Sequence, residues 1–189
     1  MIKKGGGNMH FKFNIKLTDQ DYLDYNIFWM LKSPYGKKQM LKFRITIAIL
    51  FLAISLLSLF GGKFSPNAWI GIIPYVILLI LFELLLNPIF AWVFKSNIKS
   101  LKSKGKMGYS PVSEMEFYDE SFIEITPDGN SEQKYSAVER VSVITDKVIY
   151  IHVNNIMSYI LLSSCFETKA QYNDFLNFVR TKCANIDIY

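Results

Sequence analysis

The sequence has little of the chemistry that enzymes and metal proteins use. Its 189 residues include two histidines and two cysteines. His10 and His152 have no acid or cysteine at ligand spacing, and Cys165 and Cys183 form no Cys-x-x-Cys pair, so we expect neither a metal site nor a cofactor. The chain also lacks a glycine-rich phosphate loop and a catalytic serine elbow. The sequence therefore predicts a protein that is not an enzyme.

Acidic residues are almost absent from residues 32–106, which carry 11 bases and one acid. Residues 107–189 have the opposite balance, with 6 bases and 12 acids. A basic segment can indicate nucleic-acid binding. Here the basic residues flank apolar blocks, where anionic lipid attracts each lysine or arginine by about 1 kcal/mol. Membrane lipid, and not nucleic acid, is the predicted partner of this segment.

Two long apolar blocks, residues 45–60 and 68–94, are joined by the short segment 61–67. Between Arg44 and Lys63 lie 18 residues without a charge, close to the roughly 20 that a spanning helix needs. The blocks lack the polar stripe of a soluble amphipathic helix. Because about 44 residues precede the first block, it does not resemble a signal peptide. The pattern predicts a transmembrane hairpin.

Lysine and arginine in the short flanks predict the orientation of this hairpin. Five basic residues precede the first block and five follow the second, whereas the connecting segment has one. Both termini are therefore predicted to be cytoplasmic in a multi-pass protein of the cell membrane. The residues expected to contact lipid headgroups are Lys37, Lys38, Lys42, Arg44, Lys95, Lys99 and Lys102.

Glu83 is an acid within the second apolar block, with Asn87 one turn later and Pro88 beside it. A charge at the bilayer centre costs about 2.5–3.5 kcal/mol, less than the surrounding apolar residues contribute to insertion. If its role is structural, Glu83 is neutral and forms a hydrogen bond with Ser55, with Ser58 or with a second protomer. A functional role in proton or cation handling is the alternative, and it requires oligomerisation. Pro88 is expected to kink the helix.

The N-terminal part is predicted to contain a tail, a strand and a helix. Residues 1–8 include a glycine run and are expected to be flexible, and we hypothesise that translation starts at Met9. Residues 9–44 are predicted to form a cytoplasmic strand and helix. The strand covers 10–17, where polar and apolar residues alternate. The helix that follows has Thr18 as its N-cap and ends at a Ser-Pro-Tyr-Gly break.

After a basic juxtamembrane segment, 95–106, residues 107–189 predict an antiparallel β-meander closed by a helix over 167–184. Turn residues such as the Pro-Asp-Gly-Asn at 127–130 and the Asn-Asn at 154–155 separate the strands. The fold class is α+β. The hairpin is either placed before this domain or inserted within it. If it is inserted, the strand over 10–17 joins the sheet of this domain. The expected strands are 114–118, 121–126, 132–135, 138–144, 148–153 and 156–162.

The order of these segments resembles the YcxB-like membrane proteins of bacteria. The resemblance rests on the segments 114–122, 135–141 and 148–153, together with the two apolar helices, their lysine-rich exit and the closing helix. A tryptophan near Tyr135 and a Pro-Lys pair before the final helix, both frequent in such proteins, are missing here. The resemblance implies a pleckstrin-homology-like soluble domain. It carries over no functional residues, since the family's function is unassigned.

We therefore expect a membrane-tethered cytosolic module that interacts with an unidentified protein partner or with further copies of itself. Two alternatives stay open at this point. The protein senses anionic lipid, or it is an immunity-type inhibitor that meets a toxin at the membrane. The acidic balance of residues 107–189 disfavours direct lipid binding through that domain.

Overall fold

The structure, a computed structural model, describes residues 7–60, 72–154 and 157–189, without the side chains at 58–60. Most of the predicted N-terminal tail, the segment joining the apolar blocks and part of the predicted Asn-Asn turn lie outside this range. The chain divides into two compact units. Met1–Tyr22 with Gly108–Tyr189 form one unit, here called the β domain, and Leu23–Met107 form the hairpin unit.

The first sheet of the β domain has four antiparallel strands in the order β1-β2-β3-β4. Phe11 pairs with Phe117 and Lys16 with Val112, so the N-terminal strand joins the sheet although the hairpin unit separates it from β2 in sequence. This confirms the interpretation in which the hairpin is inserted within the β domain. The strands are β1 (Phe11–Lys16), β2 (Val112–Phe117), β3 (Ser121–Thr126) and β4 (Gly129–Lys134).

The strands expected as one meander divide into two sheets. The chain leaves the first sheet at a 3₁₀ turn, Tyr135–Ala137, where the buried Tyr135 hydroxyl donates to the Tyr118 carbonyl at 2.9 Å. The second sheet has the order β7-β6-β5-β8. Its last strand pairs parallel with β5 and was not predicted, because three residues are too few to show a period. These strands are β5 (Arg140–Ile144), β6 (Val148–His152), β7 (Ser158–Leu162) and β8 (Ile186–Ile188).

Helix α4 (Lys169–Lys182) closes the β domain, two residues shorter at each end than predicted. Thr168 is its N-cap, its side chain accepting a hydrogen bond from the Gln171 backbone N–H at 3.1 Å. The apolar face of α4 enters a core to which both sheets contribute. The Phe175 ring lies 4.8 Å from that of Phe117, measured between centroids. Because β1 supplies the fully buried Phe13 and Ile15, residues 107–189 without β1 lack part of this core.

The hairpin unit contains most of α1 (Asp19–Lys32), with α2 (Pro34–Phe60) and α3 (Ile73–Ser103). The break predicted over four residues, 33–36, is confined to Ser33. Its hydroxyl accepts from the Gly36 backbone N–H at 2.9 Å, an N-cap interaction, and Pro34 occupies the first helical position. Helix α2 therefore begins well before the apolar block at 45, and α3 continues through Pro88.

Two helical segments, Pro34–Leu57 and Ile73–Ser103, are long and apolar enough to cross a membrane. In their most apolar windows 11% and 6% of residues are buried, far less than in a helix at the core of a soluble protein. Leu57, Leu84 and Trp92 are each at least 70% exposed. Contiguous apolar surface of this kind indicates contact with a membrane or with another protein.

Candidate functional site

The predicted headgroup residues lie on the helices of the hairpin unit, not in flanking loops. Lys37, Lys38 and Lys42 are exposed on the first turns of α2. The other three lysines, Lys95, Lys99 and Lys102, are exposed on the last turns of α3. Each helix thus continues from its apolar run directly into a basic segment, so the helical backbone fixes the spacing of these charges.

Arg44 and Glu83 form an ion pair between α2 and α3. The Arg44 Nε lies 3.4 Å from the Glu83 Oε2, and the two side chains are 41% and 35% exposed. This partner was not predicted. The Ser55 hydroxyl, one of the predicted partners, donates to the Phe51 carbonyl at 2.7 Å, and the Ser58 side chain is outside the described residues. Asn87 lies one turn beyond Glu83 and is exposed.

A small apolar cluster follows this ion pair along the two helices. Met30 of α1, Met40 of α2 and Leu86 of α3 are buried together. The Phe43 ring packs at 5.7 Å from that of Phe90, measured between centroids. The cluster joins the three helices of the hairpin unit at the level where the basic segment of α2 begins. Partly buried residues around it are Trp29, Leu31, Phe82, Phe90 and Phe94.

A cavity of about 260 Å³ opens beside this cluster, where α1 turns into α2. Its basic residues are Lys37 and Arg44, seven positions apart and so two turns apart on one face of α2. Arg44 Nε is buried and makes no hydrogen bond to any described residue. The apolar run that begins at 45 gives no sign of this site, because the two bases share a face only in a helix that begins at Pro34. The apolar lining consists of Met30, Leu31, Met40 and Leu41.

The histidines of the β domain have hydrogen-bonding partners that account for them. His152 is buried, with Nδ1 2.8 Å from the Ser158 hydroxyl and Nε2 3.1 Å from that of Ser142. Burial lowers the pKa of His152 to about 4. The exposed His10 lies 2.6 Å from the Asp119 carboxylate. Within the described residues, no three His, Cys, Asp or Glu side chains are grouped in a way that could hold a metal ion.

The two cysteines are thiols in apolar surroundings. Burial raises the pKa of Cys165 and raises that of Cys183 to about 11. A nucleophilic cysteine requires the opposite shift, toward the thiolate. Neither environment therefore favours covalent chemistry.

A second cavity, of about 230 Å³, lies at the start of α4 in the β domain. Lys169 approaches Asp146 at 3.8 Å on its exposed rim. The Tyr172 hydroxyl is buried near the Asp146 backbone, and it forms no well-aligned hydrogen bond with any described residue. Burial, followed by the charge of Asp146, raises the pKa of Tyr172. The rim also includes Glu167, so its two carboxylates outnumber its one ammonium group.

Comparison with known proteins gives a family match for the β domain. Residues 117–179 match the model of the family described as YcxB-like protein. The matched segment runs from the end of β2 into α4 and covers about a third of the chain. It confirms the resemblance over those residues, none of which belongs to the hairpin unit. Neither the curated proteins nor the solved structures give a match.

Proposed function

We propose that this chain is an integral membrane protein whose hairpin unit spans the bilayer and whose β domain is a non-catalytic interaction module in the cytosol. The observation that carries the proposal is the exposed apolar surface of α2 and α3, bounded at the base of both helices by lysines. Lipid is the solvent that such a surface fits. The basic residues then face the cytoplasmic leaflet, which places both termini on that side.

The Arg44–Glu83 pair indicates where the cytoplasmic boundary of the bilayer lies along the two helices. In α2 the 16 uncharged residues after Arg44, 45–60, extend about 24 Å, most of the hydrocarbon thickness of about 30 Å. Arg44 then lies at the cytoplasmic boundary with Glu83 beside it and not at the bilayer centre, and Lys95 lies about 18 Å further along α3 on the cytosolic side. This position favours the structural role of Glu83 over proton or cation handling. Trp29 and Tyr35 would lie in the headgroup layer, where aromatic residues are enriched.

The β domain is held at the membrane by two covalent connections, from β1 into α1 and from α3 into β2. We infer a pleckstrin-homology-like fold for it, since two four-stranded sheets are closed by a C-terminal helix. Its acidic balance favours a partner with a basic surface. This partner is another protein or a further copy of the chain.

Topology is tested by labelling intact cells with a membrane-impermeant thiol reagent. A cysteine introduced at Ser65 should react, whereas one introduced at Ser103 should react after permeabilisation. Cys165→Ser and Cys183→Ala in both variants remove the native thiols. Labelling of the Ser103 variant in intact cells, with protection of the Ser65 variant, would overturn the orientation.

The interaction module is tested by crosslinking in native membranes followed by identification of crosslinked chains. Full-length protein is required, because β1 supplies part of the core. Crosslinks from β-domain lysines, such as Lys134 or Lys147, to one reproducible protein or to a second copy support the proposal. Recovery of crosslinks within single chains alone, at saturating reagent, would refute it.

A further inference from the structure

We propose that the cavity between α1 and α2 binds the phosphate of one anionic phospholipid. The inference rests on the proposed membrane insertion and identifies a single site within the basic segment. It distinguishes Lys37 and Arg44, which line the cavity, from Lys38 and Lys42, which lie on the same helix outside the lining. A general attraction between lysines and the membrane makes no such distinction.

The cavity combines the two chemistries of a phospholipid. Lys37 and Arg44 supply positive charge about 10 Å apart along the axis of α2. Met40 lies between them in sequence and, with Leu31 of α1, lines an apolar wall. A phosphate with an attached glycerol and acyl chain can contact both the basic side chains and the apolar wall. A free inorganic anion can contact the basic side chains alone. The cavity volume of about 260 Å³ is many times the roughly 10–15 Å³ that a cavity needs to hold one water.

Arg44 has donors to offer to such a ligand. Glu83 approaches its buried Nε at 3.4 Å without a hydrogen bond, while the side chain as a whole is 41% exposed. A guanidinium has five N–H donors in a planar fork, which suits two oxygens of a phosphate. Glu83 offsets part of the positive charge of Arg44. Lys37 therefore supplies much of the preference for an anionic over a zwitterionic lipid.

The cavity also lies at the depth where headgroups are found. Arg44 ends the uncharged run of α2, and Lys37 lies two turns further toward the cytosol. Leu41, which is 58% exposed, provides the side open to lipid. A bilayer whose cytoplasmic boundary lies at Arg44 therefore places the phosphate layer beside the cavity.

The test is native mass spectrometry of the full-length protein in mild detergent with added lipid. Phosphatidylglycerol should be retained at one molecule per chain, and phosphatidylcholine about tenfold more weakly. Lys37→Gln should weaken phosphatidylglycerol retention by about tenfold, the equivalent of one charge-assisted contact. Lys38→Gln and Lys42→Gln are matched controls of equal charge change and should leave retention unchanged. Glycerol 3-phosphate, which supplies the phosphate without acyl chains, should not displace the bound lipid.

Arg44→Gln leaves Glu83 without its partner, so Arg44→Lys is measured beside it and should retain part of the affinity. Equal weakening by Lys37→Gln, Lys38→Gln and Lys42→Gln would show diffuse attraction and overturn the site. Displacement by glycerol 3-phosphate at similar concentration would overturn the lipid as ligand. Resistance of the protein to alkaline extraction from membranes reports insertion separately. An inserted protein without selective retention contradicts this inference alone, whereas an extracted protein contradicts the proposed function as well.

Discussion

Arg44 of α2 and Glu83 of α3 approach within 3.4 Å, which fixes the relative height of the two long helices in the hairpin unit. The sequence assigned these residues to different roles, one at the lipid headgroups and one within the membrane. Their contact places them at a single level. Glu83 is then the counter-charge of the basic segment and not an isolated acid in an apolar helix.

This pair predicts a coupling that can be measured. In a double-mutant cycle, Arg44→Gln and Glu83→Gln should each lower the thermal stability of the protein in lipid nanodiscs. The double variant should lose less than the sum, with a coupling of about 0.5–1 kcal/mol, because the pair is partly exposed. A cycle with Lys42→Gln in place of Arg44→Gln should show no coupling. Equal coupling in the two cycles would contradict the pairing.

Gly36 is predicted to be required at the corner between α1 and α2. A Cβ at this position would lie 2.1 Å from the Trp29 carbonyl oxygen and 2.5 Å from that of Met30. These are backbone atoms, so Gly36→Ala must move one helix, and we expect a loss of about 1–3 kcal/mol in unfolding free energy. Thermal unfolding in nanodiscs measures it.

The control for Gly36→Ala is Gln39→Ala, at an exposed position of the same helix. It should change the unfolding free energy by less than about 0.5 kcal/mol. Because Met30 and Lys37 flank the corner, Gly36→Ala should also weaken phosphatidylglycerol retention. Unchanged stability in Gly36→Ala would mean that the two helices separate more easily than their contact indicates.

Local patterns in the sequence predict most of the elements but few of the contacts between them. The apolar runs, the alternation in 10–17 and the N-cap at Thr18 depend on neighbouring residues and were recognised. The Thr18 hydroxyl accepts from the Asp21 backbone N–H at 3.2 Å. The pairing of β1 with β2 was left open, because it joins segments separated by the whole hairpin unit. The Arg44–Glu83 pair depends on the register of α2 against α3. That register is set by the packing of the two helices and not by neighbouring residues in the sequence. The parallel pairing of β8 with β5 likewise has no local signal.

Two tyrosines of the β domain provide a matched pair, since Tyr135 and Tyr172 are each 7% exposed. The Tyr135 hydroxyl donates to the Tyr118 carbonyl, whereas that of Tyr172 lies near the Asp146 backbone but forms no well-aligned hydrogen bond with a described residue. Tyr135→Phe should cost about 1–2 kcal/mol of unfolding free energy, because it removes the bond and leaves a buried carbonyl unpaired. Tyr172→Phe should be neutral within about 0.5 kcal/mol or stabilising. Similar losses in the two variants, measured by thermal unfolding, would refute the difference in bonding.

His152 is expected to make the β domain sensitive to acid. Burial lowers its pKa from 6.5 to about 4, with a smaller contribution from the Arg140 charge. Between these values the unfolded chain takes up a proton that the folded chain excludes. Unfolding free energy should therefore fall as the pH decreases from about 6.5 to about 4, by on the order of 3 kcal/mol. Below pH 4 the contribution of His152 becomes constant.

Comparison with His152→Gln isolates this contribution from that of the carboxylates, which titrate in both proteins. Glutamine keeps polar groups toward Ser142 and Ser158 but does not titrate. The stability of the variant should therefore depend less on pH between 6.5 and 4, and the two curves should converge as the pH falls. Thermal midpoints measured across this range give the comparison. Curves that stay parallel would show that His152 accepts its proton as readily in the folded chain as in the unfolded one.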